Sequence, residues 1–554
     1  MKYLFMKTLI TIALSFLNLF LFVSVSLAQS HLYDSRVEVL LYTTLEQNAE
    51  KALSDIGQLK TSNRYKDSYS SELFNSVGRT LINLGRIQEA KKIIQFGLQE
   101  FPDDVKLFEA YALAELKIAN YNSANLYFKR ALNSAENDTT FDKSYIKSLK
   151  DKYTLVNNRQ IYTNISGVYI LNDEENSMLL VKYDPYQGTY PGFVHLKTGQ
   201  YEILYPENDT TFYYRNNSGH QDGKILFNFD SKSTELTWVK EDSSMITGSA
   251  LPLKFRDIDF NSTGAQLKGT LISPNNEEPY PAVVLVHGAG YLTRYNLFYE
   301  ALNFAAYGIA AFVYDKRGTG LSTGSSPLET PYKYLSEDAS SAVDAVVIQP
   351  EIANKSVGLW GHSEGGWIVP MTSNNNPKVA FDIIAAGSSA DVFDQGIQSV
   401  KATLKDKDFS RTAIDQAVNY MTNLKQEIKE DSGYSDIKPI IKQAELQKWG
   451  EYVIKPGSNW ELDLWRMLME HEAKNQLTSV NVPLLAIYGE NDNTVPPSLN
   501  TDTLIDYLKS APTTSYSVEI IEKANHQFLV GGEEYSTDYF SIPVRWIKSK
   551  PEFN

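Results

Sequence analysis

Two stretches of the chain set a serine between glycines, Gly361-His362-Ser363-Glu364-Gly365 and Gly320-Leu321-Ser322-Thr323-Gly324. A hydroxyl held on such a turn can attack a carbonyl carbon, provided a base takes its proton and a carboxylate orients the base. Context separates the two. Ser363 directly follows the apolar run 357–360 and precedes a helical stretch from Gly365. That is the strand, sharp turn, helix setting of a nucleophile elbow, whose glycines tolerate strained angles and close neighbours. Ser322 lies in a glycine-rich loop followed by Pro327 and Pro331 rather than by a helix. The glycines of that loop are spaced one residue away from a dinucleotide fingerprint and open no helix, so no nucleotide site is expected there.

A base and an acid must then come from elsewhere. The histidines are His31, His195, His220, His287, His362, His471 and His526. With an elbow serine, the acid and then the histidine follow in chain order, which leaves His471 and His526. His526, in EIIEKANHQF, lies just beyond the last predicted strand, where a loop can bring it to the carboxyl edge of a sheet; His471 sits within a helical stretch. The matching acid is Asp492 in YGENDNTVPP, in the turn after the run 484–488, while Glu490 follows that strand too closely. A tetrahedral intermediate also needs backbone N–H donors for its oxyanion. Glu364 supplies one and Ala289, in the loop after VVLVHGAG, the other, with Gly288 allowing close approach and His287 orienting the loop. The chain has no cysteine. Thiolate chemistry and disulfides are thereby excluded, and neither a cofactor nor a metal is expected.

The elements that must place these groups are the runs PAVVLVHG, IAAFVYD, SVGLWG, FDIIAAG, PLLAIYG and YSVEIIE, separated by helical segments and preceded by a hairpin, LKFRDIDF with AQLKGTLI. Apolar runs alternating with helices imply a mostly parallel sheet buried on both faces. This catalytic region spans 254–554, with a helical cap inserted at about 388–482. Trp449, Tyr452, Trp460 and Trp465 of the cap either line an apolar pocket or form the cap's own core.

A chain of 554 residues exceeds what one core holds, so further regions are expected. Residues 1–28 carry Lys2 and Lys7, an apolar stretch, and small residues at Ser26 and Ala28. They read as an export signal, which makes the mature protein periplasmic or secreted, or anchored in the membrane at its N-terminus if the signal is not cleaved, with no other membrane span. Residues 29–155 are helical and repeat at an offset of 34, which aligns Phe74 with Phe108, Gly78 with Ala112, Ala90 with Ala124 and Gly97 with Ala131. This resembles the tetratricopeptide repeat, which implies a possible protein partner. The repeats hold no residue of the candidate site and are expected to form a separate core, so a chain starting near Tyr153 should stay active. Residues 160–253 alternate short strands and turns, a small antiparallel β domain. The formal charge of −15 argues against a nucleic-acid partner.

VHGAG, YDKRGTG, GHSEGG, GENDNTVP and Asn525-His526 fall in the order of the α/β-hydrolase superfamily, which the chain resembles over about 300 residues. YDKRGTGLSTG and KGTLISP resemble a group of bacterial esterase-like and serine-peptidase-like proteins within it. The resemblance implies a serine hydrolase fold with the triad Ser363, Asp492 and His526, and leaves the substrate open. The expectation is an exported enzyme cleaving small carboxylic esters. The alternatives are a peptidase acting on short peptides and an interaction protein whose hydrolase is vestigial.

Overall fold

The computed structural model describes residues 35–60, 69–215, 221–229, 234–275, 279–513 and 515–550. The export segment, His31 and His220 lie outside the described residues. Eight strands make the catalytic sheet: β1 (Leu253–Ser262), β2 (Ala265–Pro274), β3 (Tyr280–Val286), β4 (Ala310–Tyr314), β5 (Ile352–His362), β6 (Val379–Ala385), β7 (Leu484–Gly489) and β8 (Tyr516–Ile521). Their spatial order is β1-β2-β4-β3-β5-β6-β7-β8. The hairpin β1–β2 joins β4 antiparallel, and every pairing from β4 to β8 is parallel.

Successive strand residues point to opposite faces, and here both faces are covered. Val284, Leu359, Ile384 and Ala486 enter one core; Val283, Leu285, Trp360, Ile383 and Leu485 enter the other. The sheet is therefore a rigid platform whose carboxyl edge carries the loops that can do chemistry. Between β6 and β7 stand the cap helices Val392–Asp406, Arg411–Lys429, Tyr434–Glu445, Asn459–Leu468 and Ala473–Leu477. Trp449, Tyr452 and Trp465 fill the cap rather than a pocket, while Trp460 packs outward on the core of the N-terminal helices. Trp465 packs edge-on against Phe393 at 5.0 Å and Tyr452 edge-on against Phe409 at 5.7 Å, while Trp449 lies tilted against Tyr420 at 5.8 Å.

The N-terminal helices pair as hairpins, Ser71–Asn83 with Ile87–Glu100 and Val105–Lys117 with Tyr121–Glu136. Small residues set their spacing, since a Cβ on Gly78 would lie 2.4 Å from Ile94 and one on Gly97 2.7 Å from Phe74. The separate core expected of this region is not what forms. Tyr291 and Leu328 of the catalytic region belong to the same cluster as Phe74, Leu81 and Ile94. Gly85, at φ 75°, meets Tyr291 so closely that a Cβ there would stand 2.5 Å from the ring. Glu329 then ties three elements together by accepting from Arg86 of the helices (3.2 Å) and from Trp460 of the cap (2.8 Å).

Residues 167–250 form a nine-stranded antiparallel sheet around Tyr169, Phe193, Phe212, Tyr214 and Trp238. Its two edge strands, Tyr201–Ile203 and Tyr205–Pro206, are separated by Leu204 alone. Ile203 and Tyr205 are two Cα steps apart, at most ~7 Å, so the sheet must curl back on itself. Val168, Leu180 and Val194 extend into a core of the catalytic region.

Candidate active site

Ser363 stands directly beyond β5 with φ 56°, a left-handed conformation that a non-glycine residue adopts at a cost and keeps only when its surroundings enforce it. Its amide donates to Ala385 O at the end of β6 (2.9 Å), and its carbonyl accepts from Gly366 N (2.8 Å) as the helix Gly365–Ser373 begins. The flanking glycines are sterically required. A Cβ on Gly361 would lie 2.4 Å from Gly365 O, one on Gly365 2.6 Å from Val286 O, and one on Gly366 2.6 Å from Gly387 Cα.

The loop after β8 brings His526 to this serine. Ser363 Oγ and His526 Nε2 are 3.0 Å apart, and His526 Nδ1 and Asp492 Oδ2 are 2.7 Å apart. With the carboxylate accepting from Nδ1–H, Nε2 is the nitrogen free to accept from the hydroxyl. Asp492 is itself fixed, because its Oδ1 accepts from the amides of Thr494 (2.7 Å) and Val495 (2.8 Å). His362 Nε2–H donates to His526 O at 3.0 Å. Burial, with His526 beside it, pushes the His362 imidazole down to about 3, so it stays neutral and serves as a strut. The Asn525 side chain accepts from the amides of Gln527 (2.9 Å) and Leu529 (3.0 Å), which stiffens the same loop. Tyr535, in the short hairpin beyond, donates its amide to Gly199 O of the antiparallel sheet at 2.8 Å. Ser363, His526 and Asp492 are 5%, 4% and 2% exposed, so the site is covered.

The predicted oxyanion donors flank the serine. A Cβ on Gly288 would come within 3.4 Å of Ser363 Cβ, which brings the peptide leading to Ala289 close to the nucleophile. Among the described residues the amides of Ala289 and Glu364 donate to no protein acceptor. His287 spans this loop, its Nε2–H donating to Thr293 O at 3.1 Å. Burial first, and the Lys316 charge second, lower its imidazole to about 3.

The other candidates fall elsewhere. Ser322 Oγ–H donates to Asp315 O (2.7 Å) and accepts from Lys268 N (3.0 Å), so it ties a loop to β2. Glu490, on the same turn as Asp492, accepts from Lys523 N at the surface. His471 is buried against Tyr332 and Trp367, with ring centroids 5.4 and 5.7 Å away, and its nitrogens have no hydrogen-bond partner among the described residues. Burial lowers it to about 4.

Sequence reasoning passed over Asp315-Lys316-Arg317. All three are buried and each is ion-paired, Asp315 with Arg294, Lys316 with Glu364 and Arg317 with Asp338. Gly320 packs on Asp315, where a Cβ would lie 2.5 Å from Oδ2. Gly320 thus serves the buried carboxylate, while a Cβ on Gly318 would lie 2.4 Å from Ser325 O and one on Gly324 3.0 Å from Ala265 Cβ. Three consecutive polar residues directly after a fully apolar strand were the available signal.

Residues 277–533 match the family described as Serine aminopeptidase, S33. A thiohydrolase of Arthrinium phaeospermum is 30% identical over 132 residues, which are 24% of this chain. The chain spans 41% of the length of that curated relative. Among solved structures, an esterase of Pyrococcus furiosus shares 15% identity over 54% of this chain and 92% of its own, with a TM-score of 0.36. A dienelactone hydrolase of Anabaena variabilis shares 16% over 54% of this chain and 98% of its own, with a TM-score of 0.32. A parallel sheet that passes into its helix through Ser363 gives the chain an α/β-hydrolase fold, and its segment 277–533 is similar to that hydrolase family.

Proposed function

We propose that the protein is an exported serine hydrolase that cleaves small carboxylic esters through an acyl-enzyme. The observation that carries this reading is the hydrogen-bonded series Ser363, His526, Asp492, set on a strained elbow. His526 Nε2 takes the hydroxyl proton as Oγ bonds to the carbonyl carbon, and Asp492 stabilises the resulting imidazolium. The oxyanion rests on the N–H groups of Ala289 and Glu364. As the intermediate collapses the C–O bond to the leaving alcohol breaks, and His526 passes its proton to that alcohol. Water, deprotonated by His526 in turn, cleaves the Ser363 ester and releases the acid.

A covered serine favours small acyl groups. Ester turnover should therefore fall as the acyl chain lengthens. Export follows from the reading of residues 1–28, and the helical hairpins serve as tetratricopeptide-like repeats open to a protein partner. The family description favours a second reading, cleavage of short peptides. Comparing kcat/KM across p-nitrophenyl esters of increasing chain length and across aminoacyl and prolyl p-nitroanilides separates the two. Short esters are expected to lead, and a wide lead for the anilides would replace the esterase reading with the peptidase one.

A further inference from the structure

Lys316, in the turn after β4, is 4% exposed, and its ammonium has two partners. Its Nζ donates to Gly288 O at 2.9 Å and to Glu364 Oε1. Gly288 O belongs to the same peptide unit as the Ala289 N–H, and Glu364 carries the second N–H of the proposed oxyanion site. We propose that Lys316 is a positioning residue that sets both oxyanion donors from beneath. The proposal rests on the reading of Ser363 as nucleophile.

Three features support it. A trans peptide is planar, with C=O and N–H pointing in opposite directions. Anchoring Gly288 O on Lys316 therefore turns the Ala289 N–H away from Lys316. The same ammonium polarises that amide and makes it a better donor, an effect that is stronger where water is excluded. A small cavity lined by Val286, His287, Tyr314, Lys316, Asp338 and Glu364 lies under the loop. Packing beneath Gly288 is therefore incomplete, and the Lys316 hydrogen bond holds the Gly288 carbonyl there.

The surrounding charges suit this task. His287 is held neutral, and Arg317 is paired with Asp338, so Glu364 is the counter-ion to Lys316. Both side chains of the pair are 6% exposed. Removing one partner would leave a buried, unpaired charge, so a single variant can lose activity simply by misfolding. The test therefore includes a double variant.

The full chain and its K316M, K316M/E364Q and S363A variants are compared for unfolding midpoint, for kcat and KM on p-nitrophenyl acetate, and for inhibition by a trifluoromethyl ketone. Ser363 adds to that ketone to give a stable oxyanion. K316M/E364Q is expected to fold and to turn over about 10²-fold more slowly, with KM changed less than about threefold, because one misplaced oxyanion donor costs that much. Its Ki for the ketone should rise by the factor lost in kcat/KM. The proposal is overturned if the folded double variant keeps the wild-type kcat, or if its loss lies in KM while the ketone binds as before. In either case Lys316 would only neutralise Glu364. An active S363A would overturn the nucleophile reading instead, and that outcome is distinct from any result at Lys316.

Discussion

Replacing Tyr291 tests whether the helical region supports the catalytic machinery. Tyr291 lies two residues beyond Ala289, is 9% exposed, and belongs to the helical core with Leu81 and Ile94. Truncating a large buried aromatic to alanine costs about 3–5 kcal/mol through lost burial and the cavity left behind. The hydroxyl contributes little to this, since Tyr291 OH is buried and has no well-formed hydrogen bond among the described residues. Y291F should therefore match or slightly exceed the wild type, while Y291A loses most of that energy. Freed from its socket, the loop 287–293 loses its fixed position, and a shift of about 1 Å in a positioning group can cost on the order of 10²-fold in rate. Y291A is expected to lower the thermal midpoint and to reduce kcat/KM on p-nitrophenyl acetate at least about tenfold, with Y291F unchanged in both. Two results would refute the reasoning: Y291A with wild-type midpoint and rate, or a soluble chain beginning at Tyr153 with undiminished kcat/KM.

Other outcomes follow from the same geometry. S322A should lose about 1–2 kcal/mol of stability, since it removes two loop hydrogen bonds, yet keep most of its activity; steady-state kinetics beside urea unfolding checks both. His471→Phe should keep kcat/KM within about threefold and fold at least as well, because it trades an unpartnered buried imidazole for an apolar ring; an inactive H471F would reopen the choice of base. Asp382, wholly buried on β6 beside the Ser373 hydroxyl, is pushed up by burial to about 8. Its folded pKa lies above the unfolded one, so its contribution is intact at about pH 4 and below and is lost as pH rises toward 8. By pH 7 that amounts to no more than about 4 kcal/mol. D382N should therefore raise the unfolding midpoint at pH 7–8 and leave it little changed near pH 4. His287, His362 and His471 act in the opposite sense, since all three are depressed by burial, and each lowers stability as pH falls below about 6.5.

The parts of the site that were legible in the sequence are those that depend on local rules. An elbow declares itself by glycines at fixed spacing between a strand and a helix, and Asp492 and His526 each follow an apolar strand by a few residues. Tertiary contacts left no such mark. Tyr291 sits in a loop and Leu328 in the single 3-10 turn Pro327–Glu329, where burial by a distant helix imposes no periodicity, so the docking of the helical region could not be read. Lys316 resembles a solvated charge in a turn, because an ion pair between residues 48 apart has no local signature. The run QYEILYP reads as one strand, yet it is two, because the chain turns at Leu204 to join opposite edges of the curled sheet. The cap tryptophans showed composition without direction: packing inside the cap decided the role of Trp449 and Trp465, and docking on the helical region that of Trp460.

The central claim, that Ser363 is the nucleophile, is tested most directly by locating a covalent adduct. The purified chain is treated with a fluorophosphonate, digested, and the modified peptide identified by mass. A single adduct is expected on Ser363, absent from S363A and strongly slowed in H526A. An adduct on Ser322, or ester hydrolysis that survives in S363A, would contradict it.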